Sequence, residues 1–151
     1  MKQLFIFLIA LSTATAAVAQ APNPVSWNFS SKKVSDGVYE VQLVASIQPG
    51  WHLYSQQQPE DAIAIPTSFN FNKHPLITFD GGVKEMGKLE KFSDPVLKVS
   101  ANQYSNKVVF VQKVKLRGKA KTAVTGKLEF QTCDDEKCLP PKTVSFSINL
   151  S

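Results

Sequence analysis

The stretch Val38-Tyr39-Glu40-Val41-Gln42-Leu43-Val44-Ala45-Ser46-Ile47 repeats its apolar residues with a period of two. Tyr39, Val41, Leu43, Ala45 and Ile47 fall on one side of an extended chain, with Glu40, Gln42 and Ser46 on the other. A strand with one face on a core and the other in water produces this alternation, whereas a helix would scatter the same residues around its circumference. Ser35-Asp36-Gly37 before it and Pro49-Gly50 after it have turn chemistry. The segment therefore predicts a half-buried antiparallel strand.

Working outward, Trp27 and Phe29 alternate with polar residues across 25–30 and predict a first strand. Trp51-His52-Leu53-Tyr54 reads as a short aromatic strand, and 56–66, with two prolines and three glutamines, as a loop. Phe69 and Phe71 mark another strand, and 76–79 one more, closed by Asp80-Gly81-Gly82 as a turn. Residues 83–94 are charged and weakly patterned, which predicts an irregular loop or a poor edge strand. Pro95 precedes an expected short strand over 96–99, and 102–106 reads as a turn region. In the last third, Val108, Phe110, Val114 and Leu116 share a face broken only by Gln112. Val124, Leu128 and Phe130 share the next, and Val144, Phe146, Ile148 and Leu150 the last. Seven to nine short strands with no sustained helical period predict an all-β antiparallel sandwich. There is no internal repeat and no low-complexity tract.

With 151 residues, 43% of them hydrophobic, the chain has enough apolar surface for one domain with its own core. Residues 1–19 read differently. Lys2 supplies a positive start, Leu4 to Leu11 a short apolar run, and Ala17-Val18-Ala19 a small-residue cleavage site. That is the pattern of a secretory signal peptide cut after Ala19, leaving one domain over 20–151 in the periplasm or another exported compartment. The run is too short for a membrane helix, and no later segment reaches spanning length, so no membrane insertion is expected after cleavage. The formal charge of +5 becomes +4 once Lys2 is removed. Lys113, Lys115, Arg117, Lys119 and Lys121 alternate along one strand and its turn, which predicts a solvated outer face. Without interleaved aromatics, and on an exported chain, they do not make a nucleic-acid surface.

Export also decides how Cys133 and Cys138 are read. The chain's only two cysteines, in an oxidising compartment, predict one disulfide. His52 and His74 lack paired spacing with them, so no zinc site, and no other cofactor, is expected. A six-residue ring stabilises by only about 2 kcal/mol in the chain-entropy account, a weak motive for a staple. Spacing alone leaves staple and redox site both open. Asp134, Asp135 and Glu136 surround the sulfurs with negative charge opposed only by Lys137. Like charge disfavours a thiolate and predicts a sluggish free nucleophile that depends on docking with a partner, and an ordinary solvated loop tip is the reading that stands open beside it.

The run Cys133-x4-Cys138-Leu139-Pro140-Pro141, set between two strands, resembles the N-terminal periplasmic domain of the DsbD thiol:disulfide interchange protein family. Gly50-Trp51-His52-Leu53-Tyr54 is similar to that family's glycine-aromatic-x-leucine-tyrosine strand. The resemblance covers roughly 27–150 and is concentrated in those two motifs. It implies a stand-alone exported domain with an immunoglobulin-like sandwich that relays reducing equivalents. Electrons would arrive from a thioredoxin-like protein or domain and leave for exported disulfide-containing clients. Cys138 matches the family cysteine that forms mixed disulfides and Cys133 the one that resolves them. Trp51 belongs to the matched strand, Tyr54 matches an aromatic beside the pair, and His52 stands where better-known members carry tyrosine. The cysteine spacer is often one residue longer in the family. The family's aromatic cap corresponds here to 84–88, which holds no aromatic, so Met86 or Phe92 is the expected shield. The alternative kept beside the relay is a non-catalytic sandwich that binds another molecule and whose disulfide pins a loop.

Overall fold

The alternating stretch forms strand β2 (Val38–Ile47), flanked antiparallel by β1 (Val25–Ser35) and β8 (Lys107–Leu116). The computed structural model describes residues 23–150, so the signal segment expected over 1–19 lies outside the described residues. Beyond β8 the sheet is completed by β5 (Ile77–Gly87), in the order β1-β2-β8-β5. Opposite lie β11 (Lys142–Leu150), β9 (Thr122–Phe130) and β4 (Ser68–Phe71). The remaining strands, β10 (Thr132–Cys133), β3 (His52–Tyr54), β7 (Val99–Tyr104) and β6 (Glu90–Asp94), pair in that order. All paired strands run antiparallel, and none of the described residues is helical.

The core forms where the period-two faces meet. Val41, Leu43, Ala45, Val108, Phe110 and Val114 are wholly buried and face Val124, Leu128, Phe130, Phe146, Ile148 and Leu150. Rings of Trp27, Phe29, Phe69, Phe71, Phe79, Phe110, Phe130 and Phe146 run through this layer, with centroids between 4.9 and 6.4 Å apart. Such stacked, tilted and edge-on contacts add to area burial through the rings' quadrupoles. Gly126 makes room for them. A Cβ there would strike the Asn70 carbonyl oxygen and lie 2.7 Å from Phe146 Cζ.

Three sequence expectations are corrected and a fourth is narrowed. Asp80-Gly81-Gly82 is not a turn: β5 runs through it, and the register with β8 shifts between Asp80 and Lys84 as a bulge. Gly81 takes φ +72° there, and buried Gln112, the break in the β8 face, donates through Nε2 to the Gly81 carbonyl at 3.2 Å. Residues 83–94 take the second of their two expected readings, an edge strand: they form the end of β5 and all of β6, each at the edge of its sheet. Residues 96–98 are not a strand. Asp94 Oδ1 accepts from the amides of Val96 and Leu97 at 2.8 and 2.9 Å, so the chain turns and leaves both apolar side chains in water. Strand β7 begins only at Val99 and takes in Asn102 to Tyr104, where β3 and β6 supply the pairing that the local sequence does not announce. On the outer face, Lys113 and Lys115 share Asp80, with Lys115 Nζ 3.2 Å from its carboxylate.

Candidate functional site

Strand β10 is two residues long and pairs with β3, setting Cys133 opposite His52 and Thr132 opposite Leu53. The chain then reverses around Asp134. Its carboxylate accepts from the amides of Glu136 (2.9 Å) and Lys137 (2.7 Å), while its own amide donates to the Lys137 carbonyl at 2.9 Å. Those two backbone donors hold the Asp134 carboxyl below its ordinary range. After the turn, the Leu139 amide donates to the Thr132 carbonyl at 2.9 Å. The hairpin brings Cys133 and Cys138 into register, 4.0 Å apart at Cα and disulfide-bonded. Asp135 Oδ1 lies 3.7 Å from His52 Nε2. Two of the three acids between the cysteines are thus directed at amides and an imidazole.

The two sulfur-bearing residues differ in access. Cys133 is 4% exposed and packs with Tyr54, Ala101 and Ala64, whereas Cys138 is exposed. Cys138 lines a mostly apolar groove of about 320 Å³ with Tyr54, Ile63, Ala64, Phe92 and Ala101. Strand register explains the gathering. Phe92 opposes Ala101, Tyr54 opposes Gln103 and His52 opposes Cys133, so these side chains share one face of the β10-β3-β7-β6 sheet. Leu53 and Tyr104, out of phase with them, enter the core.

Of the remaining residues singled out from sequence, Trp51 is half-buried against the core just before β3. Tyr54 is buried beside Cys133, and that burial pushes its phenol up. Phe92 is 47% exposed on one wall of the groove. Met86 is 62% exposed on β5, opposite Val109 in the other sheet, away from the groove. Among the described residues no group of three or more histidine, cysteine, aspartate and glutamate side chains is placed to hold a metal ion.

The structure adds residues that sequence reasoning missed. Near the end of β5, Glu85 accepts from Ser55 Oγ (2.7 Å), the Gln56 amide (2.6 Å) and Tyr104 Oη (2.6 Å). Burial, then the hydrogen bond to Glu85 and its charge, push the Tyr104 phenol well up. These contacts pin the end of β5 to β7 and to the start of the 56–66 loop. That loop is tied to β7 because Gln58 imitates a strand partner: Nε2 donates to the Asn102 carbonyl at 2.7 Å and Oε1 accepts its amide at 3.0 Å. Ile63, 81% exposed, and Ala64 are thereby held beside Cys138. The only local signal for them was a pair of isoleucines, Ile63 and Ile65, inside a polar loop.

Among curated proteins, none matches this chain. Solved structures do. The N-terminal periplasmic domain of ScsB from Proteus mirabilis is 20% identical with a TM-score of 0.52, over 83% of this chain and 44% of that one. The present chain thus spans less than half of that protein's resolved length. The complex between the DsbD N-terminal and PilB N-terminal domains from Neisseria meningitidis gives 15% identity and a TM-score of 0.51, covering 87% and 88% of the two chains. The shared fold is the immunoglobulin-like antiparallel β-sandwich. The family model for the N-terminal region of the thiol:disulfide interchange protein DsbD matches residues 18–150, and the chain belongs to that family.

Proposed function

We propose that this domain relays reducing equivalents between a thioredoxin-like partner and other exported disulfide proteins through Cys133 and Cys138. The carrying observation is the asymmetry of the pair, with Cys138 exposed beside an apolar groove and Cys133 buried behind it. An incoming thiolate can reach the Cys138 sulfur, and the bond that breaks releases Cys133 as the leaving group. The partner's second thiol then resolves its own mixed disulfide, leaving the domain as a dithiol. On the client side, Cys138 attacks the client disulfide. Cys133 next attacks Cys138, which restores the ring and frees the reduced client. Family membership supports interchange chemistry, and the solved complex of a relative with the PilB N-terminal domain supports a protein partner. The groove walled by Ile63 and Phe92 would receive the polypeptide on either side of the partner's cysteine.

Replacing Cys133 by serine is expected to trap a covalent partner through Cys138, and replacing Cys138 to trap none. Phe92→Ser should slow that capture. If Cys133→Ser accumulates no mixed disulfide with a thioredoxin-like protein, the relay reading fails. A reduction potential below about −300 mV would then favour the alternative, a binding domain whose disulfide is purely structural.

A further inference from the structure

We propose that His52 supplies the proton that Cys133 takes up as it leaves the disulfide, and that Ser105 and Glu90 fix the ring for this step. The inference rests on the relay reading and concerns how the same disulfide opens.

His52 is the cross-strand partner of Cys133, so both side chains project from one face of the sheet. The ring is 23% exposed and lies beneath the hairpin. Its Nδ1 is 3.0 Å from Ser105 Oγ, which in turn lies 2.8 Å from Glu90 Oε2. A carboxylate can only accept, so the single Ser105 hydroxyl proton is directed at Glu90. The Ser105 oxygen then accepts from His52, which places a proton on Nδ1. Nε2 is left as the nitrogen whose proton comes and goes, and it faces the hairpin, with Asp135 Oδ1 3.7 Å away as charge partner of a protonated ring. The groups placed around the imidazole are therefore Asp135 from the hairpin, Ser105 just past the end of β7 with Glu90 of β6 behind it, and Cys133 as its cross-strand partner on β10.

Such a donor answers a specific need. When an external thiolate attacks the Cys138 sulfur, a new S–S bond forms there and the Cys133–Cys138 bond breaks. The electron pair leaves on Cys133. That sulfur belongs to a residue only 4% exposed, packed with Tyr54 and Ala101, where an unpaired anion is poorly solvated. Transfer of the Nε2 proton leaves a neutral thiol and a neutral imidazole that still carries Nδ1–H. In the client half-reaction the flow reverses. Nε2 takes the Cys133 proton as that sulfur attacks Cys138 and expels the reduced client. An imidazole is the side chain that can give and take a proton near neutral pH, which suits His52 to both half-reactions.

The test uses the full oxidised protein and dithiothreitol as probe. The rate of disulfide reduction is followed across pH 5 to 8 and divided by the fraction of reagent present as thiolate. The corrected wild-type rate should fall about tenfold as pH rises through the range in which imidazoles titrate. His52→Gln should be flat at the lower level, and Ser105→Ala, which keeps the ring but frees its orientation, should flatten the slope in part. A flat wild-type profile, or a slope retained in His52→Gln, overturns the proposal. Nitrogen-15 spectra of the wild-type protein give a check independent of any variant. Neutral His52 should carry its proton on Nδ1, and a neutral Nε2–H tautomer would sink the idea. Capture of a partner by Cys133→Ser together with a flat wild-type profile would refute this inference alone, whereas failure of capture refutes the relay beneath it.

Discussion

Strands β2 and β8 bury carbon except at Gln112, whose amide serves the bulge of β5, whereas the strands and loops around the disulfide bury several hydroxyls and amides. In the first region Val41, Leu43, Ala45, Val108, Phe110 and Val114 have no exposed surface. In the second, Ser55, Thr67, Gln103 and Thr132 are buried beside Leu53, Tyr54 and Cys133. Burial of carbon is non-directional, so the sandwich depends on volume and on which face each residue occupies. A buried hydroxyl must find its acceptor, and it does: Thr67 Oγ1 donates to the Tyr54 carbonyl at 2.6 Å and Ser55 Oγ to Glu85 at 2.7 Å. One region is thus a tolerant scaffold, and the other is a framework in which each donor fixes a position near sulfur.

The largest expected effect separates the two regions outright. Phe110 is fully buried, 4.9 Å from Phe69 and 5.8 Å from Trp27 between ring centroids. Phe110→Ala should cost about 3–5 kcal/mol, read from urea unfolding, because transfer and cavity terms add. Where the variant is still folded, its disulfide should react with small thiols at the wild-type rate. A change in that rate would show that scaffold and site are mechanically one, and the contrast would collapse.

A smaller loss is expected from the polar side. Glu85→Gln replaces a charged acceptor of three short hydrogen bonds by a weaker one, at a cost of about 1–3 kcal/mol. Its signature is in the pH dependence. Folded Tyr104 holds its proton more tightly than an unfolded tyrosine, whose pKa is about 10. Stability from this source is therefore intact below about pH 10 and declines as pH rises beyond it, because the unfolded chain releases the proton first. Removing the Glu85 charge should bring the Tyr104 phenol part of the way back, burial being the larger cause, and make that decline shallower. Ultraviolet titration of tyrosinate beside unfolding curves checks both. An unchanged Tyr104 titration would mean that Glu85 does not govern it.

The same contrast explains what could be read in advance. Alternation located β2, β8, β9 and β11 because one-sided burial imposes period two on each residue in turn. The pairing of Cys133 with Cys138 was legible from a count of two cysteines in a chain read as exported, and the family from the prolines behind them. Glu85 was not, since its donors Ser55, Gln56 and Tyr104 lie 19 to 30 residues away in sequence. The strand-like pairing of Gln58 with Asn102 spans 44 residues and was equally hidden. Val96 and Leu97 misled in the opposite sense: their apolar character suggested a strand, while Asp94 commits the backbone to a turn that leaves them in water. Polar framework residues carry no periodicity, and only the fold brings their partners together.

The smallest expected effect lies at the hairpin tip, where charge and geometry can be separated. Asp134→Asn keeps an oxygen that can accept from the Glu136 and Lys137 amides but removes the charge, whereas Asp134→Ala removes both. The lowered carboxyl pKa means that the carboxylate supports the turn at pH values above the ordinary range near 4 and ceases to do so as pH falls through its folded value. At neutral pH the asparagine variant should retain slow exchange of both amides, and the alanine variant should lose it. Neither should move the unfolding midpoint measurably, because the tip is in water and solvent can replace the lost acceptor. An alanine variant that unfolds as early as Glu85→Gln would place the tip within the rigid polar framework. If its amides alone are freed, the disulfide sits on a soft four-residue turn fastened to a stiff sheet, and Cys138 can shift toward an incoming sulfur while Cys133 stays in place.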